Sequence, residues 1–283
     1  VTHTTHRRIN VGDVHLHIAE AGPADGPLVV FLHGFPEFWW SWRHQLDAFA
    51  AAGFRAVAPD LRGYHLSDKP AGVRAYEVEA LAGDVAGLIR ALGRTEATIV
   101  GHDWGAVVAW TFAMLHGAMT TRLAILNVPH PLAMLRGMRT GRQLRKSWYI
   151  FFFQLPRLPE WAITRSDFAF IRHTFAGDGV PDADIARYVD ALRQPGAVQS
   201  AVNYYRATIR RSVAGRMAAI TPITVPVLVI WGDRDRYLGS ELADPPADLV
   251  PHARVVHLPE ASHWVQTAAP AQVNALLLDF AGG

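Results

Sequence analysis

At 283 residues, half of them hydrophobic and 18% charged, the chain exceeds one average domain and can bury a sizeable core. That balance excludes a disordered tail, a collagen-like chain and a low-complexity linker. A formal net charge of +2 is too small to argue for a nucleic acid partner, and the lack of cysteine excludes disulfides, thiolate nucleophiles and zinc–thiolate sites.

The chain opens on the polar run Val1-Thr2-His3-Thr4-Thr5-His6-Arg7-Arg8, which has no apolar centre and so does not read as a secretory signal. No later apolar run approaches the ~20 residues needed to span a bilayer. A soluble, cytoplasmic protein without a membrane partner is the expectation. Short β-branched apolar runs then alternate with amphipathic stretches, the pattern of βαβ units around a mostly parallel sheet flanked by helices. Strands are expected over 14–21, 28–33, 55–59, 97–101, 123–128, 227–231 and 254–258, and helices over 42–51, 76–92, 105–116 and 270–280. The runs over 28–32 and 227–231 are continuously apolar, as strands buried on both faces should be.

The alternation stops near Pro131 and resumes near Thr224. The simplest division is a first core part over 1–130, a helical and aromatic insertion over 131–223, and a second core part over 224–283. Within the insertion Arg136, Arg139, Arg142 and Arg145 recur every third residue, the pattern of a solvated helix face.

Three segments carry chemistry. His33-Gly34-Phe35-Pro36 follows a buried strand, where a tight loop can turn a backbone N–H toward a developing oxyanion. In Gly101-His102-Asp103-Trp104-Gly105 a buried strand enters small-X-Asp-X-small and then a helical pattern, the form of a nucleophile elbow. Asp103 stands at the nucleophile position. A carboxylate of ordinary pKa is ionised at neutral pH and can attack carbon without a base to activate it, forming an ester. The elbow serine or cysteine of ordinary acyl transfer is absent. The oxyanion donors would be the N–H groups of Phe35 and Trp104, with His33 and His102 as structural hydrogen-bonders. Late in the chain Asp233 and Asp235 follow one strand, and Ser262-His263-Trp264 follows another, both at strand C-termini where open α/β sheets build sites. His263 sits where a base is required. Of the two acids, Asp235 is the expected partner of the imidazole, with Asp233 the alternative. His252 and His257 form no convincing metal site.

Together these segments resemble the epoxide hydrolases of the α/β-hydrolase fold, whose order of nucleophile, acid and histidine they share. The resemblance runs from about residue 11 to residue 280. It is carried by His33-Gly34-Phe35-Pro36-Glu37, Trp42-Arg43, Asp60-Leu61-Arg62-Gly63-Tyr64, Ser67-Asp68-Lys69-Pro70, Gly101-His102-Asp103-Trp104-Gly105 and Asn127-Val128-Pro129-His130-Pro131. It implies a helical cap over 131–223 and two cap tyrosines that donate to the epoxide oxygen. Tyr149 and Tyr205 match best, with Tyr204 the weaker neighbour. Phe35, Trp104 and Phe153 would line the substrate site, although the run Phe151, Phe152 and Phe153 also reads as core filling. The implied reaction uses a small epoxide and water, with no metal or cofactor, and leaves the choice between monomer and homodimer open. His65 and Ser262 depart from the family, standing where glycine is common. A haloalkane or haloacid dehalogenase with the same aspartate nucleophile is the nearest alternative, and a non-catalytic ligand-binding relative a remote one.

Overall fold

The computed structural model describes residues 4–210 and 220–282. Strands β1 (Thr5–Asn10), β2 (His15–Ala21), β3 (Leu28–Leu32), β4 (Arg55–Pro59), β5 (Ala97–His102), β6 (Thr120–Leu126), β7 (Val227–Gly232) and β8 (Ala253–Leu258) make one sheet. Their spatial order is β1-β2-β4-β3-β5-β6-β7-β8. The β1–β2 and β2–β4 ladders are antiparallel and the others parallel.

Alternation along the central strands divides the core into two layers. Val29 and Phe31 of β3 pack with Leu46 and Phe49 of α1 (Arg43–Ala51) and with Leu277 of the C-terminal helix Pro270–Gly282. Val30 and Leu32 point the other way, into the layer of α2 (Val78–Ala91) and α3 (Trp104–Leu115). A strand covered on both faces has to be apolar at every position, which is why β3 and β7 were legible.

Strand β1 was not expected. It is an edge strand that buries only Ile9, so its polar sequence carries no core signature. Strand β6 starts three residues before the expected 123 and ends at Leu126, because Asn127 takes a positive φ of 51°. Helix α2 begins at Val78 and not at 76, since Tyr76 closes a preceding 3-10 turn and donates its hydroxyl to Ser200 Oγ at 2.7 Å.

Between β6 and β7 lie α4 (Pro131–Gly137), α5 (Gly141–Lys146), α6 (Trp148–Phe152), α7 (Leu158–Thr174), α8 (Asp182–Leu192) and α9 (Ala197–Arg210). Part of the expected insertion, 211–219, lies outside the described residues. The four arginines do not share one helix face. Helix α4 ends before Arg139, and Thr140 caps the new helix α5 by accepting from Gln143 N. Helix α7 is broken at 165–168, where Ser166, Asp167 and Phe168 hold positive φ. The insertion is tied to the sheet layers by Asp184, which accepts from the Trp40 indole at 2.8 Å and from Arg43 at 2.5 Å, and by the Tyr204 hydroxyl on Arg62 O at 2.6 Å. Among the described residues no helix is long and apolar enough to cross a membrane.

Candidate active site

Asp103 sits between β5 and α3 with φ 48° and ψ −121°, a conformation that side-chain-bearing residues adopt only under constraint. The constraint is visible in the neighbouring glycines. A Cβ on Gly34 would lie 2.3 Å from Asp103 Cβ, and one on Gly105 would lie 2.0 Å from Leu32 O. With both positions bare, the β3 loop and the elbow close on each other, and Phe35 N–H donates to Asp103 Oδ1 at 2.7 Å. Trp104 opens α3, so its N–H has no acceptor within the helix.

Asp235 and His263 arrive from the loops after β7 and β8. Asp235 Oδ2 accepts from His263 Nδ1 at 2.7 Å and from Asn127 Nδ2 at 2.9 Å, while Oδ1 accepts from the N–H groups of Tyr237 and Leu238. The other imidazole nitrogen, Nε2, stands 3.5 Å from Asp103 Oδ2. Asp233 turns instead to His257 Nδ1 at 2.6 Å, so of the two acids only Asp235 meets the imidazole.

The electrostatics follow from this order of charges. Burial alone would raise both carboxyls, but the hydrogen bond and charge of His263 hold Asp103 and Asp235 below the ordinary carboxylate value. Burial works against a charged imidazole, yet the carboxylates on either side push His263 up to about 10. The resting arrangement at neutral pH is therefore carboxylate–imidazolium–carboxylate, a coupled set in which removing one charge moves the others.

Asp103 and His263 open onto a cavity of about 530 Å³, which Phe35, Tyr149, Phe153 and Tyr205 also line. The Tyr149 and Tyr205 rings meet edge to face, 5.9 Å between centroids. Burial, and then the negative charge of Asp103, raises both phenols well above their ordinary value, so they keep their protons. Tyr204 is spent on Arg62 and does not line the cavity. Nor does Trp104, whose ring packs edge-on behind Tyr205 at 4.9 Å. Phe153 is buried and lines the cavity, whereas Phe151 is 47% exposed and fills no core. The two departures from glycine are both accommodated. His65 takes a positive φ of 38° and bonds Asp60, and Ser262 Oγ donates to Asp178 O.

Several contributing groups carried no separate signal in the sequence. Asn127 fixes the acid: its amide donates to Asp235 and its oxygen accepts from Gly232 N at 2.9 Å. Its positive φ, tolerated better by asparagine than by most residues, was the available clue. Gln143 and Lys146 of α5 reach the Asp235 loop, Gln143 through Tyr237 O and Gly239 N, Lys146 through Asp235 O and Leu238 O. Beneath the imidazole, His102 bridges Glu37 and the His263 carbonyl. One further donor set exists among the described residues: His17, Asp60 and His65, whose ligand atoms lie within 4.8 Å of one another. Both imidazoles there use Nδ1 to donate to Asp60 Oδ2, at 2.7 and 2.8 Å, so the set satisfies itself by hydrogen bonding.

Residues 27–270 match the family model of the alpha/beta hydrolase fold. The AB hydrolase superfamily protein YfhM of Bacillus subtilis (strain 168) is 39% identical over 277 residues, 96% of each chain. Epoxide hydrolase 2 of Caenorhabditis elegans is 35% identical over 97% of this chain and 79% of its own. The crystal structure of Bacillus megaterium epoxide hydrolase in complex with an inhibitor superposes with a TM-score of 0.88 at 34% identity, covering 98% of this chain and all of that one.

Proposed function

The chain belongs to the epoxide hydrolases of the α/β-hydrolase fold, and from that premise we propose that it converts an epoxide and water to a vicinal diol through an ester on Asp103. The observation that carries the reading is the line Asp103, His263, Asp235, whose first two members line one cavity together with the hydroxyl-bearing Tyr149 and Tyr205.

In the first step an Asp103 oxygen attacks one oxirane carbon and the C–O bond breaks. The hydroxyls of Tyr149 and Tyr205 donate to the departing oxygen, and one proton is transferred to it. Forming the ester removes the negative charge beside His263 Nε2. The imidazole loses one of the two carboxylates that push it up to about 10, so its pKa falls and its proton returns to the phenolate. His263 is then neutral and able to act as a base. In the second step it takes a proton from water, which adds to the ester carbonyl. The N–H groups of Phe35 and Trp104 hold the oxyanion, a role worth about 3 kcal/mol per donor in a comparable site. Collapse releases the diol and restores the carboxylate and the imidazolium. The same pair of ionisations thus serves both halves, because the first half alters the charge that the second half reads.

The tyrosine pair distinguishes this reading from dehalogenation, since an alkoxide needs a proton and a halide does not. Diol formation from a panel of aryl and alkyl epoxides, with the native chain and Asp103→Ala side by side, tests it. Diol from the native chain alone is expected. Activity that survives in Asp103→Ala would mean direct attack by water, and halide release from haloalkanes without diol would mean the other chemistry.

A further inference from the structure

Nine large hydrophobic side chains are exposed among the described residues, and six of them fall within one short stretch: Leu144, Trp148, Phe151, Leu155, Leu158 and Trp161. A scattered exposed leucine needs no explanation, but six such side chains close together, two of them tryptophan, mark a surface that something covers. The stretch runs through α5, α6 and the first turns of α7. Its inward positions are filled separately, by Gln143, Ser147, Phe153, Pro159 and Ile163, all buried. The exposed set is therefore not core left open by poor packing. It belongs to the outer side of a segment whose inner side is already occupied.

The charges around these side chains are of one sign. Between residues 131 and 165 six arginines are exposed, Arg136, Arg139, Arg142, Arg145, Arg157 and Arg165. The same span holds a single acid, Glu160, which is bonded to Arg206. Arg142 stands 3.5 Å from Glu241 with both side chains largely in solvent, a pairing that water and salt weaken. Arg165 lies over the Trp161 ring, 4.6 Å from its centroid.

Tryptophan, phenylalanine and leucine interleaved with arginine is the composition of a segment that rests in a lipid interface, where rings settle at headgroup level and guanidinium groups meet phosphates. A second copy of the chain fits the same surface less well. In a two-fold interface the patch meets itself, and arginines would be pressed against arginines. We propose that this segment of the insertion docks the protein on the surface of an anionic phospholipid bilayer, the apolar side chains entering the interface and the arginines engaging lipid phosphates. Such docking needs no spanning helix, and it departs from the expectation of no membrane partner. Arg145 and Trp148 also line the cavity that holds Asp103, so the segment borders both the lipid and the active site. The inference goes beyond the epoxide reading and does not rest on it.

Co-sedimentation of the full chain with vesicles of phosphatidylcholine alone, and of phosphatidylcholine with about a third phosphatidylglycerol, tests it. The native chain is expected to partition onto the anionic vesicles about tenfold more strongly than onto the neutral ones, and added salt should shrink the difference. Two double variants separate the contributions, and neither alters a residue that lines the cavity. Arg136→Gln with Arg139→Gln should lose roughly tenfold on the anionic vesicles, and Phe151→Ser with Trp161→Ser roughly the same or more. Circular dichroism and thermal unfolding check that each variant keeps the native fold, and the native chain alone decides the first comparison. Equal partition onto both kinds of vesicle, or binding to neither, would overturn the inference. Binding that both double variants leave unchanged would overturn it too, because the lipid would then be met elsewhere. So would a native dimer on size-exclusion chromatography that Phe151→Ser with Trp161→Ser turns into a monomer, since a second copy would then cover the surface.

Discussion

His263 is held between two carboxylates, and its behaviour depends on both. If Asp103 contributes charge and a hydrogen bond to the imidazolium, then Asp103→Asn should lower the His263 pKa from about 10 toward the ordinary value. Titration of the imidazole resonances by NMR would show it, and an unmoved value would mean that Asp235 alone sets the proton. The proposed order of steps makes a second demand. His263→Gln keeps the nucleophile and the phenols but removes the base, so a single turnover should stop at the ester. Intact mass spectrometry after mixing with an epoxide should find the chain heavier by one substrate. The turn that carries Asp103 was readable because small residues flank it between a strand and a helix. Asn127 was not readable as a partner of Asp235, since nothing in one dimension places residue 127 beside residue 235.

At the scale of elements, the loop that carries Asp235 is held by a helix of the insertion. Gln143 of α5 is fully buried and bonds this loop twice, through Tyr237 O at 2.9 Å and Gly239 N at 3.1 Å. Gln143→Ala should cost about 2 kcal/mol of stability, leaving two buried groups unsatisfied. It should also lower kcat more than it changes KM, because the acid loses its support while the cavity keeps its lining. Hydrogen exchange at the Tyr237 and Leu238 amides, which both donate to Asp235, would show the loosening. The elbow supplies the converse case. Gly34→Ala forces a methyl against Asp103, so activity should collapse even if overpacking costs only about 1–3 kcal/mol of stability. Both effects join a turn to an element distant in sequence. The helices that flank the sheet were legible, but those of the insertion were not placed one by one, nor was the break between α4 and α5, where a threonine caps a new helix.

At the scale of the whole molecule, buried ionisable groups give stability two pH limits. Asp60 is fully buried, which would raise its carboxyl, yet the His17 and His65 donors hold it far below the ordinary value. A depressed carboxyl contributes stability that is present above the unfolded value near 3.9 and is lost as pH falls below it. His263 has the opposite sign. Its raised pKa contributes stability that is complete below about 6.5 and is lost as pH rises through about 10. Thermal unfolding followed across pH should therefore give a plateau with two falling limbs. Asp60→Asn should flatten the acid limb and His263→Gln the alkaline one. Unchanged limbs in both variants would assign the pH dependence to other groups.

The sequence by itself determined the sheet-and-helix rhythm and the strand-to-helix turn that carries Asp103. Each of these is local: a strand buried on both faces must be apolar throughout, and a sharp turn must be lined with small residues. Tertiary structure decided the rest. Only the folded chain brings Asn127 and α5 onto the Asp235 loop, turns Asp233 away to His257, and gathers side chains from distant segments into the lining of one cavity. Such groups are chosen by distance in space, and a hydrogen bond or a shared field leaves no period in the chain that makes it.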